Sequence, residues 1–177
     1  MSTLNLDEPC SRHFRFRALI HCGATYKRLA ASLDMVPHDA KSWEMLAGLA
    51  VHILDPLVEQ YGGVELTYGF APPALTRHIK GRIAPALDQH AACERRDHGA
   101  LICEREGAAV DLKIPSQSML DVAAWLARRV PVDRLYFYGA ARPLHVSWHP
   151  QPKRSFLQMQ PGPSGHLIPR RLQLPQR

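Results

Sequence analysis

The sequence predicts an α+β fold, a small antiparallel sheet flanked by helices. Two segments, residues 42–61 and 116–130, repeat apolar residues at helical spacing. They stand apart from short alternating or apolar runs at 64–68, 108–114, 133–138 and 144–148, which read as strands. The chain has 177 residues, 46% of them hydrophobic and 21% charged, enough material for one sizeable core.

Residues 11–31 place Phe14, Phe16, Leu19, Ile20 and Leu29 among basic residues and predict an N-terminal arm with one or two short helices. Residues 34–41 read as a loop. The first long helix buries Trp43, Leu46, Leu49, Ala50, Ile53, Leu57 and Val58, and Gly62-Gly63 stops it. Pro56 inside it predicts a kink or two abutting helices. A strand over 64–68 ends at Gly69, and Pro72-Pro73 opens a short helix over 74–79. Residues 81–86 read as loop. Residues 93–106 are polar and predict a hairpin-like insertion turning at His98-Gly99. The second long helix buries Met119, Leu120, Val122, Ala123, Leu126 and Ala127, with Arg128 and Arg129 in its last turn. Residues 155–160 alternate as an edge strand would. Residues 1–160 are thus expected to form one domain, and 161–177, rich in Pro, Arg and Gln, a flexible basic tail.

Four cysteines (Cys10, Cys22, Cys93, Cys103), none in a CxxC pair, predict free thiols rather than a disulfide scaffold or zinc knuckle. No apolar run reaches the length of a membrane span, and the first residues carry no secretory pattern, so the expected location is the cytoplasm, with no membrane partner. The net charge of +6 and pI near 9.4 suit a solvated surface; a nucleic-acid partner for the basic tail is the minor reading. Composition says nothing of oligomeric state.

Chemistry concentrates in two stretches. One carries His90 and, beyond the insertion, Asp111; the other is Pro143-Leu144-His145-Val146-Ser147-Trp148. An aspartate within the apolar run 108–114 requires compensation for burial, from a metal, a salt bridge or backbone donors. If Leu144 and Val146 face the core, His145 faces the other way with Ser147. Two histidines and a carboxylate are ligand types that hold a catalytic zinc and leave one position open. Spacing alone does not make them converge.

These residues resemble the D-alanyl-D-alanine carboxypeptidase-like zinc peptidases, a group that includes murein endopeptidases and the hedgehog domain. The family signature Ser-x-His-x-x-Gly-x-Ala-x-Asp is similar to Gln89-His90 joined to Gly107-x-Ala109-x-Asp111, and its closing His strand to His145-Val146-Ser147. Ser11-x-His13-Phe14, Leu54-Asp55-Pro56-Leu57 and Leu66-Thr67-Tyr68-Gly69-Phe70 also resemble family segments, in the family's order. The resemblance implies a Zn²⁺ site made by His90, Asp111 and His145, a D,D-carboxypeptidase/hedgehog-like fold and a small peptide or amide substrate. Gln89 and Asp133 are candidate partners for the imidazoles.

The chain departs from the pattern in three places. The insertion at 93–106 separates His from Asp, as a lid or as a surface excursion. Val132-Asp133-Arg134-Leu135-Tyr136-Phe137-Tyr138 matches the segment carrying the family's general-base Glu, but ends in Tyr138, a group suited to donating to an oxyanion rather than to accepting a proton. Ala71 stands where the family has a substrate-holding Arg, leaving Arg142 or Arg77 to supply the cation and Glu104 or Glu106 a carboxylate. The expectation is a metal-dependent amide hydrolase with Tyr138 and Arg142 as accessory groups. The alternative is a repurposed zinc domain that binds without peptidase chemistry.

Overall fold

The computed structural model describes residues 5–29, 32–79, 87–163 and 167–175. Residues 81–86, read above as loop, and parts of the N-terminal arm and C-terminal tail lie outside them. Six strands, β1 (Glu65–Tyr68), β2 (Ala108–Lys113), β3 (Val132–Phe137), β4 (Leu144–Trp148), β5 (Ser155–Pro161) and β6 (Leu167–Arg171), form one sheet in the order β1-β2-β4-β3-β5-β6. The α+β class holds. The sheet is mixed rather than antiparallel, because β5 pairs parallel to β3. The short connection after β4 steps over the end of β3, so β5 runs against β4 but alongside β3. Arg154, at φ 53°, ends that connection, and its guanidinium donates to the carbonyls of Ala127 and Val130 at the end of α6 (Met119–Arg129).

Two further expectations change. β5 is not an edge, since β6 covers it. Part of the segment read as a flexible tail is therefore strand. β6 fits an edge: Pro169 cannot donate to a further strand, and Arg170 and Arg171 discourage one.

The first long helix comprises α3 (Ala40–Leu49), a π-helical turn (Ala50–Leu54) and α4 (Asp55–Tyr61). The Asp39 carboxylate caps α3 by accepting from Lys41 N–H. Pro56 sits in the first turn of α4, where a missing N–H costs least, and the wider π turn before it absorbs the mismatch. Gly62, left-handed at φ 78°, ends the helix. Ahead of it lie α1 (Phe16–Ile20) and α2 (Ala24–Leu29), and α5 (Pro73–Thr76) follows β1.

Register divides the sheet into two faces. Val110, Val146, Leu135 and Phe156 lie side by side on one; α3 and α6 pack against the sheet there and bury the core. The neighbouring row, Asp111, His145, Tyr136 and Leu157, lies on the other face, as alternation requires. All four cysteines are buried thiols outside any disulfide. Among the described residues no helix is long and apolar enough to cross a membrane.

Candidate metal centre

Two of the three candidate ligands are supplied by the sheet. Asp111 on β2 and His145 on β4 are directly opposite in the antiparallel ladder, which brings their side chains together on one face. The third does not lie on a strand. His90 belongs to a single 3₁₀ turn, Gln89–Ala91, whose entry is capped by Asp88 Oδ1 accepting from His90 N–H at 3.0 Å. Ala71 N–H donates to the His90 carbonyl at 2.9 Å and ties the turn to the chain leaving β1.

His90 Nε2, Asp111 Oδ1 and His145 Nδ1 converge, with separations of 3.2, 3.1 and 3.0 Å between them. Both imidazoles are buried, while the Asp111 side chain keeps 27% of its surface toward a cleft. His90 Nδ1 lies 2.9 Å from the Gly69 carbonyl, which can only accept, so Nδ1 carries the proton and a neutral ring turns the Nε2 lone pair toward the other two atoms. That lone pair faces a carboxylate oxygen and a second imidazole nitrogen. A proton or a metal cation must lie among the three. His145 Nε2 is buried and meets no polar partner among the described residues, so its tautomer is set from the Asp111 side.

The separations suit a metal. Four ligands at about 2.0–2.1 Å from a tetrahedral ion lie roughly 3.3 Å apart, close to the edges of this triangle. The group could hold a metal ion. The electrostatics of two of the three residues agree. Burial opposes ionisation of Asp111, yet His90 and His145 outweigh it and hold the carboxyl well below the usual range. Burial pushes His145 down toward the neutral, metal-binding form. Burial has the same tendency at His90, but the Asp111 charge reverses it and raises that imidazole, so a metal would have to displace a proton there.

No family model, curated protein or solved structure matches this chain. The likeness to zinc peptidases rests on the motif residues alone.

The surroundings redistribute several expected roles. Neither Gln89 nor Asp133 touches an imidazole. Gln89 Nε2 instead donates to Asp133 Oδ2 (3.0 Å) and to the Glu106 carbonyl (2.8 Å), and its Oε1 accepts from Ser147 Oγ (2.7 Å). Arg105 and Lys153 N–H complete the partners of Asp133. This buried network fixes the turn beside His90 and closes the ends of the insertion. Gly107 completes the closure at φ 132°: a Cβ there would meet the Trp148 carbonyl at 2.5 Å and Gln89 Nε2 at 2.6 Å. Gly69 is required for similar reasons, since its Cβ would fall 1.9 Å from the Leu19 carbonyl.

The insertion does turn at its tip, through an Arg95–Leu101 bridge, but it is not a bare surface excursion. Cys93, Glu94 and Cys103 are buried, and Glu94 Oε1 accepts from His38 N–H, Asp39 N–H and Ser42 Oγ at the start of α3.

His90, Asp111 and His145 line an open cleft of about 390 Å³ together with Tyr138 and Arg142. The Arg142 guanidinium lies 6.0 Å from the Tyr138 ring centre. Burial, with Asp111 nearby, pushes the Tyr138 hydroxyl far up, so it remains a donor. The alternatives Arg77, Glu104 and Glu106 do not border this cleft; Glu106 pairs with Lys41, and Arg77 borders a different one.

Sequence reasoning passed over four contributors: Tyr136 stacked on His145 (4.6 Å, 12°), Tyr68 tilted over His90 (4.3 Å), Thr67 Oγ1 donating to the Asp111 carbonyl, and Asp88. Asp88 was readable as an acid two residues before His90, the place of a turn cap. Tyr136 needed the strand register.

Proposed function

We propose that this protein is a metal-dependent hydrolase of amide bonds, with zinc held by His90 Nε2, Asp111 Oδ1 and His145 Nδ1. The observation that carries this reading is the 3.0–3.2 Å triangle of two nitrogens and a carboxylate oxygen, from residues that line an open cleft. Zinc in such a donor set supplies Lewis-acid polarisation of a carbonyl and acidifies water. The chain's own residues do the rest. His90 is oriented through its Nδ1–H on Gly69, and Asp111 and His145 by the β2–β4 ladder. Tyr138 keeps its proton and can donate to the carbonyl oxygen as negative charge develops there. Arg142, beside it, offers a fixed positive charge to an anionic part of a peptide substrate.

A second reading, a metal-holding domain that binds a peptide or amide without turning it over, is favoured by Tyr138 at the place of the family's Glu. Elemental analysis tests the metal: protein purified without added metal should carry about one zinc per chain, and His90→Ala should lose it. Retention of zinc by His90→Ala would refute the site. Hydrolysis of acyl-D-Ala-D-Ala or murein peptides by the wild type supports the first reading. Activity that appears only in Tyr138→Glu supports the second.

A further inference from the structure

We infer a second ligand site, an oxyanion cleft that takes a phosphate dianion, free or as a monoester. It lies between the C-terminal end of α5 and the tip of the insertion, has a volume of about 320 Å³, and is lined by Arg77, Arg95, Arg96 and His98 over Pro73 and Ile102. It is linked to the His90–Asp111–His145 group only along the chain. Ala71, bonded to the His90 carbonyl, leads into α5, and His90 itself leads into the insertion.

Three exposed arginines line this cleft together with one acidic residue, Asp97. Arg77 and Arg96 have no carboxylate partner among the described residues. Arg95 reaches Asp39 only at 3.7 Å and otherwise donates to the Gly99 carbonyl at 2.9 Å. Arg12, Arg17 and Arg105 are each engaged by a carboxylate at 2.5–2.7 Å, while Arg128, Arg134 and Arg154 meet backbone carbonyls; this cleft differs in gathering three arginines. Gathering like charges costs stability that scattering them would avoid. An oxyanion removes that repulsion, and guanidinium forks match its oxygens two at a time.

The backbone is set for this before any ligand arrives. Arg96 N–H donates to the Ala100 carbonyl and Gly99 N–H to the Arg96 carbonyl, both at 2.8 Å, with Gly99 left-handed at φ 86°. The turn thus fixes the backbone from which Arg95 and Arg96 project. Arg77 is the C-cap of α5. None of this depends on the metal group.

Calorimetric titration with inorganic phosphate and with phenyl phosphate, at constant ionic strength, tests the site. The wild type should show saturable binding, and Arg77→Ala/Arg96→Ala should weaken it about tenfold or more. Arg77→Lys/Arg96→Lys, which keeps charge but loses the forks, should fall between the two. Without phosphate, the alanine variant should unfold at or above the wild-type temperature, since repulsion has been removed. Binding of both probes assigns a phosphoryl group that extends outward from the cleft; binding of phosphate alone assigns the free ion. The inference is overturned if the wild type shows no saturable binding, or if the alanine variant binds as tightly as the wild type. Phosphate bound at the metal group would not respond to either pair of substitutions.

Discussion

Gln89→Glu replaces one nitrogen by an oxygen in a fully buried side chain and leaves volume unchanged. In the wild type Nε2 donates to Asp133 Oδ2 at 3.0 Å and to the Glu106 carbonyl at 2.8 Å. Once ionised, the introduced carboxylate would be aimed at Asp133 and at a carbonyl, both acceptors. Once protonated, it would restore one donor of the two. The folded state therefore raises the pKa of the introduced carboxyl above its unfolded value near 4.3. A rise of about two units costs roughly 2.7 kcal/mol at neutral pH, and the second missing hydrogen bond adds about 1 kcal/mol. The first cost is absent below the unfolded pKa and grows as pH rises through it. Urea denaturation at pH 7 should show a lowered midpoint with unchanged slope, and the gap from wild type should narrow toward pH 4.5. Equal midpoints at pH 7, or a gap independent of pH, would refute the role given to Gln89.

Three further outcomes follow from the same geometry. Gly107→Ala places a Cβ on the Trp148 carbonyl at a left-handed φ and should destabilise by about 3 kcal/mol or more in the same assay, whereas Gly63→Ala, which meets open space, should stay within about 1 kcal/mol of wild type. Asp88→Asn keeps an acceptor for His90 N–H and Asp88→Ala does not, so competition with a chelator should show weaker zinc retention in the alanine variant, by roughly tenfold. Burial opposes ionisation of Asp133, but Arg105, Lys153 N–H and Gln89 outweigh it and depress its pKa. Its contribution is therefore present above the unfolded pKa near 3.9 and is lost as pH falls through the folded value; an acid titration of Asp133→Asn should converge on the wild type at the acid end.

The helices were legible because burial of one face imposes a period that the residues display; their starts, capped by Asp39 and Ser118, were not, and α3 begins at Ala40, inside the stretch 34–41 expected as loop. The π turn was not legible either, since it alters the register of hydrogen bonds while the same apolar residues stay inward. Strand segments could be read from alternation, but sheet order depends on pairing between distant residues, and no local feature of residues 149–154 signals a step over β3. β6 was hidden by the features that protect an edge, Pro169 and two arginines, which resemble the composition of a tail. At the candidate site the ligand types stood in the sequence, as did the opposite facing of His145 and Ser147 relative to Leu144 and Val146. The turn that carries His90, and the Gly69 carbonyl that fixes its tautomer, became visible only with the fold, because both depend on the close approach of chain segments some 21 residues apart.

The unequal anchoring of the three donors bears on how fast an ion could come and go. Asp111 and His145 are embedded in neighbouring strands and move only if the sheet parts. His90 hangs on one short turn, secured by the Asp88 cap, the Ala71 amide and the Gly69 carbonyl. Opening that turn breaks these three hydrogen bonds and the three that Gln89 makes to Asp133, the Glu106 carbonyl and Ser147, but leaves the β2–β4 ladder paired, so it is a local opening rather than unfolding of the sheet. Residence time at the centre would then be governed by this hinge-like latch, and an ion held there would slow amide hydrogen exchange at His90 long before it altered exchange in β2 or β4.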